Sequence, residues 1–290
     1  MKSLEQITPN PYYESYNRET KTYYHRRDTG LYSILTWAVR KIFLLEINGY
    51  EVENIVLEMS AYLPKIDAYK ILFQKKDIKI DFSNIPEEDK IFFETQVETC
   101  GWGLENFEKV NLQITNQIIN KFFSPSQEVI DTYERLLLSN NINLDKTTFI
   151  WARNTDKVET HLPEAKNYLN VLNEINKESN ELIIQTDDYR VIENFEKIGV
   201  EFKTIKEIPI SGNLTGFHNE MKETNEKLFH LLYNQTKEEH LIQMYCLSLF
   251  CVNSDKSIVY PGNPTTYLLF LKGSSENLYL FKNSNELFLL

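Results

Sequence analysis

One short stretch, RNTDKVETH at 153–161, gathers the residue types that could do chemistry: Arg153, Asp156, Lys157, Glu159 and His161. It follows the apolar run TTFIWA directly. An arginine fork holds a diphosphate through two parallel N–H···O bonds, and a lysine adds a compact point charge. Glu159 and His161 are of the types that take a proton from an attacking hydroxyl. A polar turn closed by a surface ion pair is the competing account of the same residues.

Three further groups of polar residues follow apolar runs. Thr186, Asp187 and Asp188 come after ELIIQ. One carboxylate there would bind ribose or base hydroxyls while the other caps the next helix; capping alone is the alternative. The spacing is not Asp-x-Asp, so it makes no case for a divalent metal on a diphosphate. The loop after VEFKTI carries Ser211, Gly212, Gly216, His218 and Asn219. The loop after SIVY carries Pro261, Gly262, Asn263, Pro264, Thr265 and Thr266 and opens a helix, whose free N–H groups suit an anion. A plain capped helix start is the alternative. His25, Arg26 and Arg27 precede another helix start, as an anion site or as a solvated charge cluster. His230 and His240 have no ligand partner four residues on and read as structural.

The elements that must position these groups alternate in type. TTFIWA, ELIIQT, VEFKTI, SIVYP and NLYLF read as strands. PEAKNYLNVLNEINK, DDYRVIENFEKIG, EEHLIQMYCLSLFC and NPTTYLLFLKG read as helices between them. Such alternation predicts βαβ units and a mostly parallel sheet, with ligands beyond the carboxyl ends of its strands. Further upstream, the first 28 residues read as a polar, tyrosine-rich extended arm. Leu31, Ile34, Leu35, Ala38, Ile42 and Leu45 then mark an amphipathic helix stopped by Asn48-Gly49. VENIVLEM and DIKIDF read as strands, and NLQITNQIINKFF as a helix. Ser124 is the expected N-cap of the helix VIDTYERLLLSN, with Pro125 in its first turn and Glu128 completing a capping box. The chain is expected to divide there, into 1–123 and 124–290.

Composition narrows the function. The 290 residues include 17 Tyr, 17 Phe and 3 Trp, enough for a substantial core. The net charge of −11 disfavours nucleic-acid and anionic-lipid partners. Only 9 glycines are present, with neither a GxGxxG nor a GxxxxGK[ST] motif, which disfavours a dinucleotide fingerprint and a Walker site. No GxSxG elbow supports a hydrolase. The cysteines, Cys100, Cys246 and Cys251, form no CxxC and read as buried small hydrophobes in a reducing, cytoplasmic setting. No apolar signal core or membrane-length run is seen.

RNTDKVET and the later QTDD resemble the nucleotide-binding half of the GT-B fucosyltransferases, the superfamily of α1,6-, α1,2- and protein O-fucosyltransferases. Gly216-Phe217-His218-Asn219, LSLFCVNSDKSIVYPGNPTTYLLFLKG and KFFSPSQEVI resemble further segments of that group in matching order, over 124–273. The first half is similar only through Gly30-Leu31 and the helix after it. The resemblance implies an α/β fold of GT-B type, with two Rossmann-like domains and mostly parallel sheets. It implies an inverting, metal-independent sugar transferase without cofactor, with GDP-fucose as donor and a glycan or protein hydroxyl as acceptor. Arg153 matches the arginine on the β-phosphate, Asp156 and Lys157 a pair near the reaction centre, and Asp187 and Asp188 a pair near the nucleotide. Trp151 and Asn154 stand where the family has histidine and a second arginine. His161 falls on its catalytic glutamate, with Glu159 two residues earlier, and Gln243 on a helical aspartate. The departures keep two alternatives open: a GT-B transferase for rhamnose or a hexose, and a non-catalytic member that binds a glycan or protein.

Overall fold

The computed structural model describes residues 12–59, 63, 66–82, 85–95, 112–152, 165–175, 181–210, 221, 223–260, 262–281 and 287–289. In the first half, β1 (Tyr12–Asn17) and β2 (Thr22–Arg27) form an antiparallel hairpin. The Asn17 side chain holds its turn by accepting from the Glu19 and Thr20 N–H groups. The expected arm is thus a hairpin over these residues. Its alternation is of tyrosines rather than aliphatics, which hides the period of two. Helix α1 (Leu31–Ile47) then crosses to β3 (Asn54–Met59), which pairs parallel to β2. α1 ends as expected, with Asn48 as C-cap and Gly49 at φ +77°, a backbone that side chains resist.

α2 (Ala68–Leu72) leads into β4 (Phe73–Gln74), and α3 (Glu87–Thr95) and α4 (Leu112–Phe122) follow. DIKIDF forms no strand. The chain before it is tied instead to the end of α4, where the Lys76 N–H donates to the Lys121 carbonyl at 2.7 Å. The next helix start differs from expectation by two residues. Ser124-Pro125 form β5, paired antiparallel to β4, and the Ser124 hydroxyl donates to the Asn120 carbonyl. Ser126 caps α5 (Gln127–Ser139) by accepting from the Val129 N–H. Either serine fits the local pattern; the β4 pairing selects the second.

The second half follows the expected alternation. β6 (Thr147–Ala152), α6 (Ala165–Ile175), β7 (Glu181–Thr186) and α7 (Tyr189–Lys197) are followed by α8 (Glu226–Tyr233) and α9 (Lys237–Asn253). Then come β8 (Lys256–Val259), α10 (Asn263–Lys272), β9 (Leu278–Phe281) and β10 (Leu287–Leu289). The sheet order is β10-β9-β8-β6-β7; all pairs are parallel except β10, which closes the edge against β9. VEFKTI contributes one bridge, with Lys203 exchanging backbone bonds with Leu182 and Ile184 along the edge of β7.

Alternate residues of β6 feed two cores. Ile150 and Ala152 join Tyr168, Leu172, Ile192 and Phe195 on the α6–α7 side. Phe149 and Trp151 join a larger cluster that also holds Ile34, Val39, Ile55 and Leu57 of the first half. That cluster is continuous across residue 123, so α1 is wrapped on several sides and buries Leu31 through Arg40 without interruption. No helix of the described residues is long and apolar enough to cross a membrane.

Candidate functional site

β6 connects to β7 on one side, while β8 lies on its other side, so the order reverses between β6 and β8. A parallel sheet opens a crevice at such a point, beyond its strand ends. A cavity of about 340 Å³ lies there. The second half contributes Trp151 from the end of β6, Gln185, Thr186 and Asp187 from the end of β7, Tyr260 after β8, and Asn263 and Pro264 at the start of α10. The first half contributes Asp28, Thr29 and Gly30 from the turn after β2, the first turn of α1, and Met59 at the end of β3. His240, Leu241, Met244 and Leu247 of α9 complete it with Met221, Ile208 and Pro209.

Three aromatic rings brace this space. Tyr32 meets Trp151 edge-on at 5.2 Å, and Trp151 meets Tyr260 edge-on at 6.0 Å. The Tyr32 hydroxyl bonds the Met244 carbonyl at 2.5 Å and Ser248 Oγ at 2.8 Å, tying α1 to α9. Burial pushes its pKa well above the usual tyrosine value.

The adjacent carboxylates of β7 have separate jobs. Asp188 is buried, caps α7 through the Arg190 N–H at 2.9 Å and grips the Arg190 guanidinium with both oxygens. Asp187 lines the cavity. Thr186 also lines it, and its hydroxyl accepts from the Asp188 N–H at 3.1 Å.

At the start of α10, Gly262 serves as N-cap at φ +148°, a conformation open to glycine. Asn263 reaches the cavity, and its buried Oδ1 has no hydrogen-bond partner among the described residues. Thr265 is fully buried and donates to the Tyr260 carbonyl, which fixes the turn. Thr266 is buried beside it, and its Oγ1 has no hydrogen-bond partner among the described residues.

The structure therefore brings Thr186, Asp187 and Asn263 to one cavity and gives Asp188 and Thr265 bracing roles. Arg153, Asp156, Lys157, Glu159, His161 and His218 lie outside the described residues. The His25–Arg27 cluster is not on the cavity wall. His25 is buried, with Nδ1 at 2.6 Å from the Tyr23 hydroxyl. Burial, then Arg27 and Lys41, lower its pKa to about 3. Arg27 stacks on the Trp37 ring at 4.0 Å, and Arg26 faces Glu58 at 3.6 Å. His230 is exposed. His240 is buried against Gln235, with its pKa lowered by burial to about 3, yet it lines the cavity.

Sequence reasoning missed Asp28 and Thr29. Their signal was position: a polar pair between an alternating strand and the glycine that opens α1. Cys246 and Cys251 are buried free thiols, as expected.

No protein-family model matches the sequence, and no curated protein matches it. Solved structures do. A structure of NodZ alpha-1,6-fucosyltransferase co-crystallised with GDP matches with a TM-score of 0.52 at 10% identity, over 89% of this chain and 93% of that one. A second, soaked with GDP-fucose, matches with a TM-score of 0.51 at 11% identity, over 89% and 94%. The chain thus has an α/β fold of the GT-B-like kind shared with these structures.

Proposed function

We propose that this chain is a glycosyltransferase that uses a nucleotide-diphosphate sugar, with GDP-fucose the first candidate, and passes the sugar to a glycan or protein hydroxyl. The observation that carries this reading is the cavity where the carboxyl ends of β6 and β7 meet the starts of α1 and α10. It lies in a fold shared with a protein whose crystals were grown with GDP or soaked with GDP-fucose. The division into 1–123 and 124–290 is part of the proposal, with each part supplying one wall.

The described lining of the cavity holds two carboxylates and neither lysine nor arginine. A diphosphate needs cations, so Arg153 and Lys157 are assigned that role. Chain geometry supports this, since the Cα of Arg153 is about 3.8 Å from that of Ala152, next to Trp151 on the wall. Asp156 would orient the pair. Thr186 and Asp187 would accept from ribose or base hydroxyls, with Asp188 and Thr265 holding the turns behind them, and His218 and Asn263 as further nucleotide contacts.

In the reaction, the acceptor O–H gives its proton to Glu159 or His161 and its oxygen bonds the anomeric carbon. The bond from that carbon to the β-phosphate oxygen breaks, and the diphosphate leaves with the electron pair. One displacement inverts the centre. Arg153 and Lys157 offset the leaving charge without a metal. The net charge of −11 supports the absence of a nucleic-acid partner, and two buried free thiols support a reducing, cytoplasmic setting.

Thermal shifts with GDP, UDP, ADP, dTDP and CMP, with and without EDTA, test the reading. GDP should raise the melting temperature with no effect of EDTA, and Arg153→Ala should abolish both the shift and transfer while the apo protein melts normally. A shift with UDP or dTDP alone would keep the fold and change the sugar. Silence with every nucleotide would favour a non-catalytic glycan-binding member, which the Tyr32–Trp151–Tyr260 aromatic wall suits.

A further inference from the structure

We propose that Lys237 is a positioning residue for the cavity: from the first turn of α9 it holds Met221 in the wall, where Met221 packs on the bound ligand. The proposal rests on the reading of the cavity as a nucleotide-sugar site. Lys237 itself is not among the described lining residues.

Methionines mark this cavity. The chain has four, and the three beyond the first residue, Met59, Met221 and Met244, all line it. Methionine is unbranched and adapts to what it packs against, so its placement depends on the backbone that carries it. Met59 ends β3 and Met244 stands within α9, where ladder and helix bonds fix the backbone. Met221 lies outside these elements, on the segment that enters α8, yet it is buried.

Lys237 supplies the tether. It is the first residue of α9 and is buried, and its Nζ donates to the Met221 carbonyl and, at 2.7 Å, to the Thr224 carbonyl. Its backbone N–H donates to Glu226 Oε1 at 2.9 Å, in the first turn of α8. The stability of α9 does not call for a lysine at this position. Thr236 and Glu239 already form a capping box, and the helix dipole opposes a cation at an N-terminus. Burial opposes the charge as well and lowers the lysine pKa. Local rules are broken in this way where a site needs it. Here the ammonium is directed at the backbone of a residue on the cavity wall.

The proteins that test this are wild type, Met221→Ala, Lys237→Leu and the double variant, with the near-isosteric Lys237→Met as a second lysine variant. Lys227→Gln, at an exposed position of α8, is the control for loss of charge. GDP and GDP-fucose are titrated calorimetrically, with UDP/UDP-glucose and dTDP/dTDP-rhamnose as parallel pairs. Isotope-labelled methionine methyl groups are followed by NMR, the Met221 signal being the one that Met221→Ala removes.

Met221→Ala should weaken the nucleotide sugar by about fourfold, the weight of roughly one buried methylene. Lys237→Leu should weaken it by about fourfold as well, and should shift the Met221 signal of the ligand-free protein while the Met59 signal stays. The double variant should also stand at about fourfold, because the lysine acts through the methionine. The proposal is overturned if Met221→Ala leaves affinity unchanged, whatever the lysine variants do. It is overturned if Lys237→Leu moves neither affinity nor the Met221 signal, or if the double variant reaches about sixteenfold, the product of independent effects. Failure of both lysine variants to fold would assign Lys237 to the fold as a whole and overturn it too. In each of these cases wild-type nucleotide binding leaves the glycosyltransferase reading standing. Wild type that binds no nucleotide would remove that reading and this role with it.

Discussion

All six residues of β6 are buried, whereas β2 buries only Tyr23 and His25 and leaves its other residues half-covered. Both strands end at the same cavity. The difference comes from what lies on each face. β6 sits between two apolar clusters and has no polar side. The β1–β3 sheet is covered by α1 on one face, where Ile55, Leu57 and Met59 point. On the other face Tyr24 donates to Glu58 at 2.5 Å, and Arg26 stands beside it. A parallel strand covered on both faces must be apolar throughout, while a one-faced sheet can be made of tyrosines and charges. Equal functional position therefore comes with unequal dependence on burial.

The largest expected effect tests that inequality directly. Phe149 is fully buried in β6 and stacks on Phe250 at 5.8 Å with the rings 8° apart. Phe149→Ala should cost about 3–5 kcal/mol in urea unfolding at unchanged m-value, from lost transfer energy and a residual cavity. Val56→Ala, on the half-covered face of β3, should cost about 1 kcal/mol or less. Equal costs would mean that the first sheet is as tightly enclosed as the second.

Acid sharpens the comparison from another side, because among the described residues each half buries one histidine. His25 and His240 both have their folded pKa lowered to about 3. For a lowered pKa, the unfolded chain binds the proton first, so stability is present above the unfolded value near 6.5 and is lost as pH falls toward 3. Each histidine should contribute a slope of up to about 1.4 kcal/mol per pH unit, or about 2 kcal/mol between pH 6.5 and 5. Glu51, Glu181 and Glu207 have lowered pKa values, and their contribution is lost only below the carboxylate range. Burial raises the pKa of Asp67, whose effect runs in the opposite direction, so unfolding curves at pH 7, 6 and 5 are compared with and without each histidine. His25→Gln and His240→Gln should each remove about half of the slope; a slope unchanged by either would show that the group is not held neutral.

The same contrast explains what could be read in advance. TTFIWA and ELIIQT were legible as strands because double burial leaves an unbroken apolar run, and Thr186, Asp187 and Asn263 followed from their positions after strands. The helix from Leu31 to Ile47 was legible from its spacing and its Asn48-Gly49 stop, although its enclosure on several sides was not. The hairpin was missed because Tyr, Glu, His and Arg do not show which face is inside. DIKIDF has the alternation of a strand but pairs with none among the described residues. The choice of Ser126 over Ser124 depends on the β4–β5 pairing, a contact between residues far apart in the chain. Asp28 and Thr29 carry no signal of residue type in the sequence beside the cations before them. Charge marks out His25, Arg26 and Arg27, whereas the period of two turns His25 inward and the chain brings the next polar pair to the cavity.

The smallest effect concerns two neighbours that composition cannot tell apart. Asp188 is 3% exposed, caps α7 and binds Arg190, while Asp187 borders the cavity. Loss of the cap in Asp188→Ala should cost about 1 kcal/mol. The Arg190 pair adds a few tenths at most, since Arg190 is half exposed and its pairing is screened by water. Asp188→Asn should recover most of that cost, because asparagine caps as well as aspartate but does not pair with Arg190. Asp187→Ala should change stability by about 0.5 kcal/mol or less, yet weaken the nucleotide that the thermal panel identifies. Chemical unfolding and nucleotide titration on the three variants read the two roles separately. If Asp188→Asn retained stability but lost nucleotide affinity, the buried carboxylate would also serve the ligand. The division between bracing and binding at the end of β7 would then have to be redrawn.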